Sequence, residues 1–132
     1  MDNPLLSIFD SASSLPPQSH LQCMEISFPG ASQIEWSRRE GLFEAIFYKD
    51  QLEYIALFDE LGQLIEYRMI LSAALLPALI KETVESKGEL MNSVLINRGN
   101  ELIYEFIIRD KKLNRFLVEV SQLGHVITDR PL

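Results

Sequence analysis

Two ten-residue stretches of the chain follow the same pattern. "FDELGQLIEY" at 58–67 and "VSQLGHVITD" at 120–129 share the order Leu-Gly-polar-aliphatic-Ile. The pair Phe43-Glu44 also matches a later aromatic-Glu pair at 104–105, at a separation of 61 residues, whereas the two Leu-Gly pairs lie 62 residues apart. A one-residue length change between repeats belongs in a turn, because a slip within a paired strand would reverse its faces. The pattern therefore predicts an internal repeat.

Apolar and polar residues alternate with a period of two within each predicted repeat, which is typical of half-buried antiparallel strands. Gly62, in the "DELG" turn, can adopt the positive φ that a short hairpin loop requires. We predict four strands in each repeat, at 34–40, 42–48, 52–58 and 63–71, and at 90–96, 101–109, 113–121 and 125–130.

The alternation stops at 75–87, where Leu76, Leu79, Ile80 and Val84 fall at helical spacing. A proline in the first turn and Gly88 after the last one are typical helix boundaries. The repeat then predicts a corresponding helix in "PPQSHLQCMEISFPG", which ends at Gly30.

These elements predict an α+β fold of two tandem helix-plus-four-strand repeats, in which an antiparallel sheet carries both helices on one face. The predicted domain covers 15–132, with repeats at 15–70 and 73–132, and follows an N-terminal arm at 1–14. One face of each strand should form the core. We expect Phe43, Phe47, Ile55, Leu57, Leu79, Ile80, Val84, Tyr104, Phe106, Phe116 and Val118 there.

The chain is acidic, with 19 Asp and Glu residues against 12 Lys and Arg residues and a formal net charge of −7. This charge repels nucleic acid phosphates and anionic membrane surfaces, so we expect no nucleic acid partner. No apolar run approaches the roughly 18 residues of a membrane span, so no membrane insertion is expected. No Lys or Arg precedes Arg38, so the sequence as it stands lacks a secretory leader and indicates the cytoplasm. If a leader has been removed, the expected compartment is the periplasm.

The order of the motifs resembles the PepSY-like family, whose folds are similar to the tandem-repeat β-lactamase inhibitor protein. The resemblance covers roughly residues 15 to 130 and is carried by turns, core aromatic residues and helix starts. Such motifs specify a fold better than an activity. Relatives are usually exported in bacteria and bind or inhibit proteins, so the resemblance implies a bacterial binding protein. The residues that carry it are Phe28-Pro29-Gly30, Ile34 to Trp36, Phe43-Glu44-Ala45, Phe58-Asp59, Gly62, Leu76-Pro77, Ile80, Tyr104-Glu105-Phe106, Val118 to Val120 and Gly124.

No residues are spaced as a catalytic triad or a metal site, so we expect no enzyme, no cofactor and no metal. His20 and His125 are interpreted as exposed or partly buried histidines, and the single Cys23 as an ordinary core thiol. Glu44 and Glu105 occupy matching positions in the two repeats. Paired carboxylates can perform acid–base chemistry, but polar positions on a solvated sheet face are the favoured interpretation.

The sheet face opposite the helices combines aromatic residues, arginines and carboxylates, a composition typical of protein interfaces. We therefore predict a non-enzymatic protein-binding or inhibitor-like module whose partner is another protein or a second copy of the chain. The alternative is a small apolar ligand held between sheet and helices, which a cavity of several hundred cubic ångströms would favour. The predicted binding residues are Trp36, Glu44, Tyr48, Tyr54, Arg68, Glu105, Arg109 and Arg115.

Overall fold

The structure is a computed structural model that describes residues 15–132, and the predicted N-terminal arm at 1–14 lies outside this range. Two α-helices, a short 3-10 helix and eight strands follow one another along the described chain. Their bounds are α1 Gln18–Ser27, β1 Ser32–Arg39, β2 Leu42–Lys49, β3 Leu52–Phe58, β4 Leu64–Ile70, the 3-10 helix Ala73–Leu75, α2 Ala78–Glu85, β5 Glu89–Arg98, β6 Glu101–Arg109, β7 Arg115–Ser121 and β8 Val126–Pro131.

The predicted fold class, an α+β fold of two tandem helix-plus-four-strand repeats, is wrong. The strands form a single eight-stranded antiparallel sheet in the unbroken order β1 to β8. Strands hold 53% of the described residues and helices 18%, so the protein is mostly β. The two α-helices have only 10 and 8 residues. Helices this short depend on packing for their stability, and a sheet that runs without interruption is the dominant element.

The described chain divides into two compact units, 15–67 and 68–132, and each is described by itself. In the first unit, β2 and β3 are joined by a two-residue turn, since Lys49 pairs with Leu52. Asp50 and Gln51 in this turn have φ values of 51° and 67°. Two consecutive positive φ values are the signature of a type I′ turn, which matches the twist of an antiparallel hairpin.

This turn determines which residues of β3 are buried. It pairs Phe47 with Tyr54, and Ala45 with Ala56, so these residues share one face. Ile55 and Leu57 are on the other face and only partly buried, which contradicts their predicted core positions. The strand bounds predicted from the sequence, 42–48 and 52–58, leave a three-residue connection at 49–51. That connection gives the wrong parity, because a shift of one residue reverses every side chain of a strand.

Helix α1 covers the face of the first unit that carries Phe47. The ring of Phe28, at the C-terminal end of the helix, lies 4.9 Å from Phe47 and 5.2 Å from Tyr67 between centroids. Met24, one turn earlier, is also buried. Aromatic contacts at such distances add to the stabilisation from burial alone.

His20 joins helix α1 to the turn between β3 and β4. It is completely buried, so the interpretation as an exposed or partly buried residue is wrong. Its Nε2 atom donates a hydrogen bond of 2.8 Å to the carbonyl oxygen of Asp59. A Cβ atom at Gly62 would lie 3.2 Å from the His20 Nδ1 atom, and Gly62 has a φ of +88°. Glycine is therefore required here for both its conformation and its size.

In the second unit, helix α2 packs on the face of β6 and β7 that carries Phe106 and Val118. Ile80 and Val84 are separated by one helical turn and both are buried in this cluster. Leu79 lies next to Ile80 but is 63% exposed, so its predicted core position is wrong. An eight-residue helix presents one narrow stripe to the sheet, and a neighbouring position points away from it.

We predict different effects of two adjacent substitutions in β6. Phe106→Ala should lower the free energy of unfolding by about 3–5 kcal/mol, because the side chain is buried and its removal leaves a cavity. Glu105→Ala should cost less than about 1 kcal/mol, because its ion pair with Arg68 is partly exposed. Urea denaturation of both variants measures the difference. Equal destabilisation would show that the two faces of β6 are assigned the wrong way round.

Candidate functional site

In each unit, one face of the strands packs on a helix, and we call the opposite one the far face. Residues paired across antiparallel strands share a face. In the first unit, Ile46 lies between Glu35 and Ile55 in this way, and Glu44 lies between Ser37 and Leu57. The far face of this unit is therefore defined by Glu35, Ser37, Arg39, Leu42, Glu44, Ile46, Tyr48, Glu53, Ile55 and Leu57.

Two predicted binding residues of the first unit lie on this far face. Tyr48 is 43% exposed and Glu44 is partly buried. The apolar neighbours Ile46 and Ile55 are also only partly covered. The unit thus presents an aromatic ring and a carboxylate beside partly exposed aliphatic side chains.

Trp36 and Tyr54 lie on the helix face instead, so the prediction that they are exposed is wrong. Each is 8% exposed. The Trp36 ring lies 5.4 Å from that of Phe58, and the Tyr54 ring is stacked 5.2 Å from that of Phe47. Trp36 pairs with Ala45, a small residue that leaves space for the indole. The parity of the strand pairing places both aromatic residues in the core.

The far face of the second unit carries an ion pair between Arg68 and Glu105, whose atoms lie 3.6 Å apart. Ile107 and Leu117 pair beside it and are partly exposed. Not all of this face is accessible, since Val94, Ile96 and Ile103 are 6% exposed or less. The accessible part lies toward the Arg109 end of β6.

At that end, Arg109 and Arg115 are direct partners across β6 and β7. Arg109 donates a hydrogen bond of 2.8 Å from Nη2 to the Glu89 carboxylate. Glu89 pairs with Arg109 across β5 and β6. Arg130 belongs to the same face because it pairs with Leu117.

The structure therefore places Glu44 and Tyr48 on the same far face of the first unit. In the second unit it places Arg68, Glu105, Arg109 and Arg115 on one face. Strand alternation had predicted each of these residues individually. Sequence reasoning missed Glu89 and Arg130 at this site. The signal that could have identified them is the strand register, which places both on the same face as Arg109 and Arg115.

A groove lies between helix α1 and the edge strand β1 in the first unit. It is an open groove of about 460 Å³, and Met24, Phe28 and Trp36 contribute apolar surface to it. Gln18 and Glu25 supply polar groups. Its volume falls within the range of small-molecule sites, although such sites usually enclose more of their ligand.

The burial of Tyr54 changes its titration. Desolvation raises the pKa of Tyr54 above its ordinary value of 10.0, and the nearby negative charge of Asp50 adds to this effect, followed by Tyr67. Removal from water disfavours the charged phenolate, and so does a carboxylate close by.

No known protein-family profile and no curated protein sequence matches the chain. Solved structures do match it. A BLIP-like protein from Bacteroides fragilis has a TM-score of 0.81 at 16% identity, covering 89% of this chain and 87% of that one. A DUF2874 family protein from Bacteroides uniformis has a TM-score of 0.80 at 16% identity, covering 89% and 90%. A proposed periplasmic protein from Bacteroides eggerthii has a TM-score of 0.78 at 14% identity, covering 89% of each chain.

These likenesses show that the chain has a BLIP-like fold. The expected similarity to the β-lactamase inhibitor fold is thereby confirmed. At identities this low, the comparison concerns the fold alone. Within residues 15–132, no helix is long and apolar enough to cross a bilayer.

We predict that Tyr54 makes stability depend on alkaline pH. Because its pKa is raised on folding, the folded state retains the phenolic proton longer than the unfolded state does. The contribution of the protonated Tyr54 side chain to the free energy of unfolding is therefore complete below about pH 10. It is lost as pH rises through the pKa of Tyr54 in the folded state. Tyr54→Phe should show a smaller loss of unfolding free energy than the wild type between about pH 8 and about pH 11.

Urea denaturation at the two pH values measures this loss. Tyr48→Phe, which alters an exposed tyrosine, is the matched control. Its free energy of unfolding should fall between the two pH values by as much as that of the wild type. If Tyr54→Phe shows the same pH dependence as the wild type, Tyr54 is not the group that makes stability depend on alkaline pH.

Proposed function

We propose that this protein is a non-enzymatic, inhibitor-like binding module of the PepSY-like class that contacts a protein partner through its far faces. The observation that carries the proposal is the second unit's far face, where partly exposed Ile107 and Leu117 lie next to an ion pair and arginines. Protein interfaces combine an apolar centre with charged groups at its rim, and arginine is enriched in them.

The first unit supplies a second contact surface. Tyr48 is 43% exposed, and it pairs with Glu53 across the β2–β3 hairpin. A tyrosine can bury its ring against a partner while the hydroxyl keeps a hydrogen bond, so it is a favourable interface residue. Trp36 and Tyr54 are excluded from the proposed surface because they belong to the core. Its residues are Glu44 and Tyr48 in the first unit, and Arg68, Glu105, Arg109 and Arg115 in the second.

The periplasm is the proposed compartment. The similarity to the Bacteroides eggerthii protein supports this choice over the cytoplasm. A bacterial origin is likewise supported by structural neighbours from Bacteroides. Fractionation of cells that naturally produce the protein tests the compartment, and recovery with cytoplasmic proteins alone would contradict it.

A photo-reactive amino acid placed on a far face should crosslink the partner in producing cells. We predict a discrete crosslinked species from position Tyr48 and from position Ile107. The matched control is Ile26, an 81% exposed apolar residue of helix α1 that lies outside both far faces. Denaturing electrophoresis followed by mass spectrometry identifies the products. Crosslinks from Ile26 alone, or equally from all three positions, would contradict the proposed surface.

The groove beside helix α1 favours a second candidate function, the binding of a small apolar ligand. Trp36 contributes to its wall together with Met24 and Phe28, and its polar groups could orient one end of the ligand. The chain contains a single tryptophan, so its fluorescence reports directly on this groove.

For this second candidate, a medium-chain fatty acid should change the emission of Trp36 in a saturable manner. Ala31→Phe places a ring in the groove and should abolish that response, because Ala31 lines it. Ala74→Phe adds the same ring at an exposed position of the other unit and should leave the response intact. An identical titration for both variants would exclude the groove as the binding site.

A further inference from the structure

Three arginines lie together on the far face of the second unit. Arg109 and Arg115 are direct cross-strand partners, and Arg130 pairs with Leu117, the next residue of that face on β7. Side chains opposite one another have Cβ atoms about 5 Å apart, and diagonal neighbours about 7–8 Å. The three guanidinium groups can therefore reach a common point above the end of β6 and β7. We call Arg109, Arg115 and Arg130 the arginine cluster.

The described residues neutralise this cluster only in part. Glu89 bonds to Arg109, whereas Arg115 and Arg130 form no salt bridge within residues 15–132. Both are exposed. Glu119 is the other carboxylate on this face of β7, and it pairs with Glu105 and Thr128, farther from the end of the strand. Glu119 is nevertheless a diagonal neighbour of Arg130, so two carboxylates face three cations and one positive charge remains in excess.

Two features of the arginine cluster oppose folding. Like charges placed directly opposite each other in a sheet are destabilising, and Arg109 and Arg115 have this arrangement. In addition, the Nε atom of Arg109 is buried and has no hydrogen-bond partner among the described residues. A buried donor without a partner carries a desolvation cost, and such a group requires an explanation. An anion bound between the arginines would relieve the repulsion, whereas the buried Nε atom is not accessible to an external ligand.

We propose that the arginine cluster binds carboxylate side chains of an acidic segment in the partner protein. This inference rests on the proposed function, since it assigns the chemistry of the partner at one end of the same face. A guanidinium group binds a carboxylate through two parallel hydrogen bonds, and arginine is favoured over lysine where this geometry matters.

The charge of the whole chain favours a short acidic peptide over a polyanion. The chain carries a net charge of −7, so long nucleic acids and anionic membranes are repelled outside the cluster. An acidic segment of a few residues would contact the arginine cluster without approaching the remaining acidic surface.

The test uses the full chain and a fluorescently labelled hexaglutamate peptide as the probe. Fluorescence anisotropy at low salt should show saturable binding, and Arg109→Gln with Arg115→Gln should weaken it by at least about tenfold. Lys111→Gln with Lys112→Gln is the matched control. It removes two positive charges from the adjacent exposed loop and should weaken binding by less than about threefold.

Several outcomes would overturn the inference. These are no binding of hexaglutamate, equal losses in the two double variants, or equal binding of a DNA hexanucleotide, which would indicate a nonspecific cationic surface. Concentration-dependent self-association that the arginine substitutions abolish would assign the cluster to a second copy of the chain instead. If the wild-type protein does not bind hexaglutamate but still crosslinks its partner from Tyr48, this inference is overturned and the proposed function stands.

A second measurement separates binding from a structural role. Arg115→Gln relieves the repulsion from Arg109, so its midpoint of urea denaturation should equal or exceed that of the wild type. A clearly lower midpoint would show that Arg115 stabilises the fold, and the cluster would then have a structural explanation.

Discussion

The register between β2 and β3 determines which side chains of the first unit are buried and which are available to a partner. It is fixed by two residues with positive φ, Asp50 and Gln51. Through this turn Phe47 meets Tyr54, and the two rings stack against each other beneath Phe28. A register different by one residue would place Tyr54 on the far face and bury Ile55 in its place. The composition of the candidate binding face is thus a consequence of one short turn.

In the second unit, the same principle of cross-strand pairing assembles the candidate site. Arg109 and Arg115 come into opposition because the loop 110–114 closes with Asp110 and Asn114 bonded to each other. The Asp110 carboxylate also accepts hydrogen bonds from the backbone of Lys112 and Asn114, which holds the loop in one form. This hydrogen-bonded loop therefore presents two like charges side by side. The fold maintains the repulsion between Arg109 and Arg115, and a bound carboxylate would relieve it.

Much of the local structure could be predicted from the sequence, because period-two alternation and glycine turns are local signals. All eight strands are found near their predicted positions, and so are the two helices. The fold class was wrong because the two α-helices are short while strands hold 53% of the described residues, so the protein is mostly β rather than α+β. Alternation and turns locate the elements, but the length of a short helix depends on its packing against the sheet, which these local signals do not encode.

The candidate site could be predicted only in part. Glu44, Tyr48 and Arg109 follow from alternation alone, whereas Trp36 and Tyr54 required knowledge of the register. The burial of His20 could not be predicted from the sequence either. Its burial depends on a hydrogen bond to Asp59, a residue 39 positions later in the chain. Sequence spacing gives no indication of that contact.

The central claim is that Tyr54 belongs to the core while Tyr48 is left on the face available to a partner. Nuclear Overhauser effects between aromatic rings test it directly, because they report protons within a few ångströms of one another. The structure predicts effects between Tyr54 and both Phe28 and Phe47, whose ring centroids lie 5.9 Å and 5.2 Å away, and none between Tyr48 and Phe28. Effects that link Tyr48 to Phe28, with none from Tyr54, would contradict the register and the binding face derived from it.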